Sequence, residues 1–425
     1  MTTTSTLPGP DTITRVTLDN GITILVYENH TSQSVVIDGT VRAGSLYESP
    51  AKNGLAALTA RSLMRGTTQR DFNAIFAGLE NIGADLGING GVHRAGFSGK
   101  ALAEDLPVLI ELLGDVLRNP SFPEEQVERL KGEIFTGLQY RQQDTRYRAN
   151  RAFREGLYPA SHPLHYSTSG TLETVPMLTV DDIKQFHQTH YGPADMIIVI
   201  VGDVQTDAAI DVVHNHLGDW KNPNQADVPD IPEAPQATQI QKTVIGLPGK
   251  TQSDIMLGVV GPSRTAEDYL AAALANSVLG VFGMMGRIGQ EVREKQGLAY
   301  YAYSRVDGGL TPGPWYVSAG VDPNDVDKAI DSILHEIRRM VTEPVSAEDL
   351  SDNQSYFIGH LPLQLENNDG VADALLRIET YNLGLDYLIQ YRDTVERLTV
   401  DDLLAAAQHY LNPDAYVSAV AGPED

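Results

Sequence analysis

The sequence predicts an α+β protein of two homologous repeats, each an antiparallel or mixed β-sheet with helices packed on one face. Three observations predict it. The segment LTVDDIKQFHQTHYGPADMIIVIVGDV, from Leu178, returns at the end of the chain as LTVDDLLAAAQHYLNPDAYVSAVAGPED, from Leu398, with Gly202 matching Gly422. Self-similarity on this scale marks a duplicated unit. Strands come first and helical blocks follow, the pattern of sheets with segregated helices. One proline-rich segment, KNPNQADVPDIPEAPQAT, divides the chain into halves of similar size.

The elements follow in order. ITRVTLDNGITILVYE reads as two strands around Asn20-Gly21, a hairpin signal because both turn positions favour positive φ. Val35–Val41 is a third strand. Helical periodicity then runs over Gly54–Met64, Asp71–Ile82, Leu102–Leu117 and from Pro123 to about Arg154. In both copies of the LTVDD segment, Thr followed by Asp-Asp caps a helix, a proline stops it and an apolar run follows. In the first copy that run, Met196–Val201, reads as a buried strand. Pro223, Pro229, Pro232 and Pro235 give the linker an extended, semi-rigid character. The expected organisation is a first repeat over 1–220, a linker over 221–238 and a second repeat over 239–425.

Composition narrows the function. The chain has 425 residues and no cysteine, which excludes disulfides, thiolate metal sites and a cysteine nucleophile. Its net charge of −25 repels phosphate backbones, so nucleic acid is not an expected ligand; the excess serves solubility, or, if it lines a cavity, favours cationic peptides. No apolar run reaches the roughly 18 residues a membrane span needs. The start, MTTTSTLPGP, has no basic n-region and no apolar h-region and reads as a short disordered lead; the cytoplasm is the expected location.

Several segments carry a family resemblance: LDNGITILVYE, AGSLYE (Ala43–Glu48), NGLAALTARSLMRGT (Asn53–Thr67), HPLHYSTSGT (His162–Thr171) and GRIGQEVREKQGLAY (Gly286–Tyr300). Together with the repeat, they make the chain resemble the pitrilysin / mitochondrial-processing-peptidase family, the inverzincins. The resemblance spans nearly the whole chain and implies the two-repeat, LuxS/metallohydrolase-like processing-peptidase fold. In active members a helix carries His-x-x-Glu-His, whose spacing puts two imidazoles and the base on one helix face. The same register here reads Ala57, Leu58, Thr59, Ala60, Arg61. Ala57 and Arg61 replace the ligands and Ala60 the base. The family's third ligand, a Glu in a later helix, falls on Gly137 within EIFTGLQ. Methyl groups have no lone pair for a metal, and a guanidinium stays protonated. No family-type zinc is expected in this chain.

The second half keeps what the first has lost. The resemblance implies that an Arg and a Tyr seven residues apart in the second repeat reach across to the scissile peptide; here they are Arg293 and Tyr300 in VREKQGLAY. A guanidinium fork and a phenol are apt donors to a carbonyl and its oxyanion. Strand alternation would turn Tyr301 to the opposite face, making it the weaker candidate. Taken alone, the spacing equally suits a solvated helix charge and an aromatic core residue. In the family context the chain reads as the substrate-binding subunit of a heterodimer, inactive alone, with zinc held by a His-x-x-Glu-His partner. The competing reading is an inert structural or assembly protein that keeps only the fold.

Four other signals are weaker. GLPGKT (Gly246–Thr251) resembles a phosphate loop, but Val244 stands where its first glycine belongs. Gly280, Gly283, Gly286 and Gly289 suggest helix packing or a bend. The pairs His162/His165, His187/His190 and His214/His216 suit capping roles better than metal binding. Glycines in LGINGGVHRAGFSG, the edge strand that binds substrate in active relatives, suggest relaxed catalytic demand.

Overall fold

The computed structural model describes residues 7–424. Of the lead expected to be disordered, residues 1–6 lie outside the described residues. The rest is packed: Pro8 and Gly9 are buried, Gly9 against Ile389.

The first repeat begins with β1 (Ile13–Thr17), β2 (Thr23–Glu28) and β3 (Ser34–Val41). The hairpin around Asn20-Gly21 is present, but of the two turn positions only Gly21 takes positive φ, at 95°, and Asn20 does not. Then come α1 (Leu55–Ser62), α2 (Phe72–Glu80), β4 (Asp85–Gly90), β5 (Ala95–Leu102), α3 (Leu106–Arg118), α4 (Glu124–Arg141) and α5 (Thr145–Leu157). The repeat closes with α6 (Val180–His190), β6 (Ile197–Gly202) and α7 (Thr206–Leu217). Its sheet runs β1-β2-β6-β3-β5-β4, antiparallel except for the parallel pair β2–β6.

The second repeat contains β7 (Gln241–Leu247), β8 (Ser253–Val260), α8 (Tyr269–Gly280), the kinked segment α9 (Phe282–Ile288), β9 (Ala299–Val306) and β10 (Pro314–Val321). Next are α10 (Val326–Thr342), α11 (Ala347–Gln364), α12 (Asn368–Thr380), α13 (Tyr387–Arg397), α14 (Val400–Tyr410) and β11 (Val417–Pro423). Its sheet runs β7-β11-β8-β10-β9, again with one parallel pair, β7–β11. Strands β2 to β6 therefore recur in the same order as β7 to β11, and β1 has no counterpart. The duplication extends to the caps: Thr179 and Thr399 each close a capping box, with Asp182 and Asp402.

The compact units do not follow the linker. One comprises residues 1–137, 167–230 and 361–390; the other comprises 138–166, 231–360 and 391–425. In the first unit, Ile198 and Ile200 face a core shared with α1, α3, α6 and α7, while Ile197, Val199 and Val201 face α12. Burial on both faces explains why Met196–Val201 is continuously apolar rather than alternating. In the second unit, Ile255, Leu257 and Val259 of β8 pack with α8, α10 and α14, and α5 lies against β7, β8 and β11. Helices on one face thus describes each repeat's own contribution. The opposite face is covered by a helix from the other half of the chain, α12 on the first sheet and α5 on the second. An apolar run with two buried faces requires such a second cover.

The linker adopts neither helix nor strand. Its first part is tied into the first unit, where Asn222 Nδ2 donates to the Gln188 and Tyr191 carbonyls at 2.8 Å. Its last part is tied into the second, where Gln236 Nε2 donates to the Val260 carbonyl at 2.9 Å. No single helix among the described residues is long and apolar enough to cross a membrane.

Candidate functional site

Two regions correspond to the sequence-predicted site positions. The first is α1. Gly54 precedes it at φ 97°, a left-handed position that disfavours side chains. Glu48 accepts hydrogen bonds from Gly54 N at 2.9 Å and Ala56 N at 2.5 Å, so a carboxylate satisfies the free amides of the helix start. Burial nonetheless dominates and pushes the Glu48 carboxyl up to about 7. Asn53 Nδ2 donates to Ser167 O at 2.8 Å, and a Cβ on Gly54 would lie 2.8 Å from Gly170 Cα. The AGSLYE, NGLAAL and STSGT segments therefore build the entry to this helix.

The helix holds no metal-binding chemistry. Ala60 is fully buried, Ala57 half-buried and Arg61 exposed. Gly137 lies in α4, with no heavy atom within 4 Å of where a Cβ would stand. Among the described residues, no group of three His, Asp or Glu side chains gathers as a metal site requires. The donor set at the family's ligand positions does not fit zinc.

Edge strand β4 lies directly on α1. A Cβ on Gly90 would come within 2.7 Å of Ala57 Cα, whereas one on Gly87 would meet nothing within 4 Å. The two glycines differ in meaning: Gly90 is required by a close backbone approach, and Gly87 is not. Strand weakening alone does not account for Gly90.

The second region spans α9 to β9. Gly283, Met285 and Gly286 take positive φ, so the glycine series marks a bend. A π-helical turn, Gly289–Lys295, follows and carries Arg293. Gly297 (φ 65°) ends it, and Leu298 N donates to Val292 O at 2.9 Å, tying the turn to the start of β9. Glu291 is taken by Lys295 Nζ at 3.0 Å and Gln296 Nε2 at 3.0 Å. Arg293 is half-buried and forms no ion pair among the described residues. Tyr300 is 74% exposed. Of the charged residues around Arg293, Glu291 and Lys295 are paired with one another.

The strand alternation expected to separate Tyr300 from Tyr301 is interrupted. Gly320 of β10 pairs with Tyr301 and Val321 with Ala299, so Tyr300 is the extra residue of a β-bulge. Sequence pattern offers no sign of this irregularity.

The other signals resolve as architecture. Gly249 (φ 71°) forms a turn leading into β8, not a phosphate loop. His162 Nδ1 accepts from Leu164 N at 3.1 Å, His165 bonds the Tyr158 carbonyl at 2.8 Å and His187 Nε2 the Leu117 carbonyl at 2.8 Å. Burial lowers His190 to about 4, so it is neutral at pH 7, with its ring 4.6 Å from that of Tyr47. His214 and His216 occupy the last turn of α7.

A duplicated five-strand sheet, a helix at the inverted-motif register and an Arg/Tyr turn in the second half define a peptidase-type fold of the inverzincin class. The chain belongs to the M16 peptidase family. The profile described as "Insulinase (Peptidase family M16)" matches residues 23–160, and that described as "Peptidase M16 inactive domain" matches 177–356. The chain is similar to an uncharacterized zinc protease of Streptomyces coelicolor, 26% identical over 98% of this chain and 91% of the relative. It is also similar to the mitochondrial-processing peptidase subunit beta of Caenorhabditis elegans, 25% identical over 77% of this chain and 71% of that one. Among solved structures, a peptidase M16 inactive domain from Pseudomonas fluorescens superposes with a TM-score of 0.90 at 25% identity, covering 97% of this chain and 98% of that chain. A protease from Helicobacter pylori shares the fold, with a TM-score of 0.90 at 20% identity, over 98% of this chain and 100% of that chain.

Proposed function

We propose that this protein is the substrate-binding, non-catalytic subunit of a heterodimeric zinc endopeptidase acting on peptides or unfolded segments. The observation that carries the reading is the contrast between the two repeats. The ligand positions hold Ala57, Ala60, Arg61 and Gly137, while the second repeat presents an exposed Tyr300 beside the turn that carries Arg293. In the working complex the zinc and its water belong to the partner, an M16 subunit with an intact His-x-x-Glu-His helix. Arg293 and Tyr300 donate hydrogen bonds to the scissile carbonyl and to the oxyanion that develops from it, which orients the peptide and stabilises the charge. The acidic surface favours cationic peptides.

The test is to purify the chain alone and mixed with such a partner, then measure zinc content and peptide cleavage. The expected result is no zinc and no cleavage alone, and cleavage in the mixture that falls about 10²-fold in Arg293→Ala or Tyr300→Phe. Unchanged rates in both variants would leave only a scaffold role.

A further inference from the structure

Tyr300 and Tyr301 are adjacent, chemically identical and on an edge strand, where a one-residue slip reassigns every side chain. The structure separates them. Ala299 and Ala302 both enter the core of the second unit although they are three residues apart, a spacing that regular two-residue alternation cannot give. The bulge supplies the missing residue, and that residue is Tyr300. In a regular strand the alternation set by buried Ala302 and Ser304 would turn the Tyr300 ring inward.

A polar clamp holds the next residue. Asp254 of β8 is 2% exposed, and the Tyr301 hydroxyl donates to its Oδ1. Thr145 Oγ1 donates to Asp254 Oδ2 at 2.5 Å, and Gln252 Nε2 lies 3.2 and 3.3 Å from the two carboxylate oxygens. Arg146 Nε donates to the Tyr301 hydroxyl at 2.9 Å, and its guanidinium lies 3.9 Å above the Tyr301 ring centroid. Gly320, the bulge partner, leaves room for the ring: a Cβ there would lie 2.4 Å from Tyr301 Cε1. Five residues, on β8 and the turn before it, on β10 and on α5, thus fix one tyrosine, while its neighbour is fixed by none of them.

We propose that Asp254 and Tyr301 are positioning residues, whose clamp sets the phase of the β-bulge and so decides which of the two tyrosines is presented to solvent. Its bearing on function rests on the reading that Tyr300 contacts substrate; the structural claim does not. The buried Asp254 carboxyl holds the Tyr301 phenol at the register where Tyr301 pairs with Gly320. Burial and the neighbouring carboxylate both raise the Tyr301 pKa, so the phenol stays a donor throughout the neutral range.

The experiment is nitration of the purified chain with tetranitromethane at pH 8, with tandem mass spectrometry to locate the adduct. The wild-type chain is expected to react at Tyr300 and hardly at Tyr301. In Asp254→Asn the ratio of Tyr300 to Tyr301 modification should fall about tenfold. Arg146→Gln, at a half-exposed side chain, removes the Arg146 tether to Tyr301 and its 3.9 Å ion pair with Asp254 but keeps the Tyr301–Asp254 hydrogen bond, and should shift the ratio the same way by less. An unchanged ratio in the folded variants overturns the clamp. Because this assay needs neither partner nor activity, its failure is separate from failure of the functional reading, which Tyr300→Phe tests in the complex. There, Asp254→Asn should lower kcat about tenfold with a smaller rise in KM, since the displaced hydroxyl bonds the developing oxyanion more strongly than the ground-state carbonyl. A change in KM alone would count against positioning.

Discussion

The edge strands β4 and β9 occupy the same place in two copies of one sheet, yet they present opposite surfaces. On β4, Gly90 lets the strand backbone settle against Ala57, so the site helix is covered by main chain. On β9, a bulge leaves Tyr300 exposed beside a turn whose Arg293 forms no ion pair among the described residues. One topology has thus been spent on close packing in one repeat and on a presented donor in the other. Shared topology fixes where an edge lies; side-chain volume fixes what the edge can bind.

The sharpest break of this comparison is kinetic. If β9 and not β4 carries the function, Tyr300→Phe should cost the partner complex about 10²-fold in rate, whereas Gly87→Ala on β4 should leave it unchanged; comparable losses would erase the distinction.

The entry to α1 gives a pH test. Glu48 titrates near 7 in the folded chain, above its usual carboxylate range. The native state therefore binds the proton more tightly than the unfolded one. Stability should be highest below about pH 4.5 for this group and decline by on the order of 2 kcal/mol as pH rises through 7. Urea unfolding at pH 5 and 8 measures the slope, and Glu48→Gln should flatten it.

Close packing of β4 is tested by two alanines. Gly90→Ala should destabilise by about 1–3 kcal/mol, because its Cβ meets the Ala57 backbone. Gly87→Ala meets nothing and should be neutral or stabilise by roughly 0.5 kcal/mol. Thermal unfolding of the pair decides whether approach or strand propensity governs.

The smallest effect sharpens the comparison from the other side. Thr179→Ala and Thr399→Ala remove the same capping box from each repeat and should each cost about 1 kcal/mol. Matched losses would show that the duplication preserved local energetics while the edges diverged.

Much of this was legible in residues alone. The Asn20-Gly21 hairpin, the LTVDD caps and the apolar strand after them are local signals, and local signals survive translation into structure. The absence of His, Asp and Glu from α1 was equally legible, since it is read directly from the residues of the helix. The glycines of the β4 segment read together as a sign of relaxed catalytic demand, because the close approach of Gly90 to Ala57 lies outside its own stretch of sequence. Burial of Pro8 and Gly9 was missed for the same reason.

The sequence by itself determined the duplicated unit, its paired helix caps and the absence of His, Asp and Glu from α1, because spacing, capping and side-chain type are properties of short stretches. Tertiary structure alone decided that α5 and α12 each cover the sheet built mainly by the other half, that β4 closes on Ala57 and that Tyr300 stands in a bulge. These depend on which surfaces meet across long separations, and a pattern of two-residue alternation contains no term for the partner strand that interrupts it.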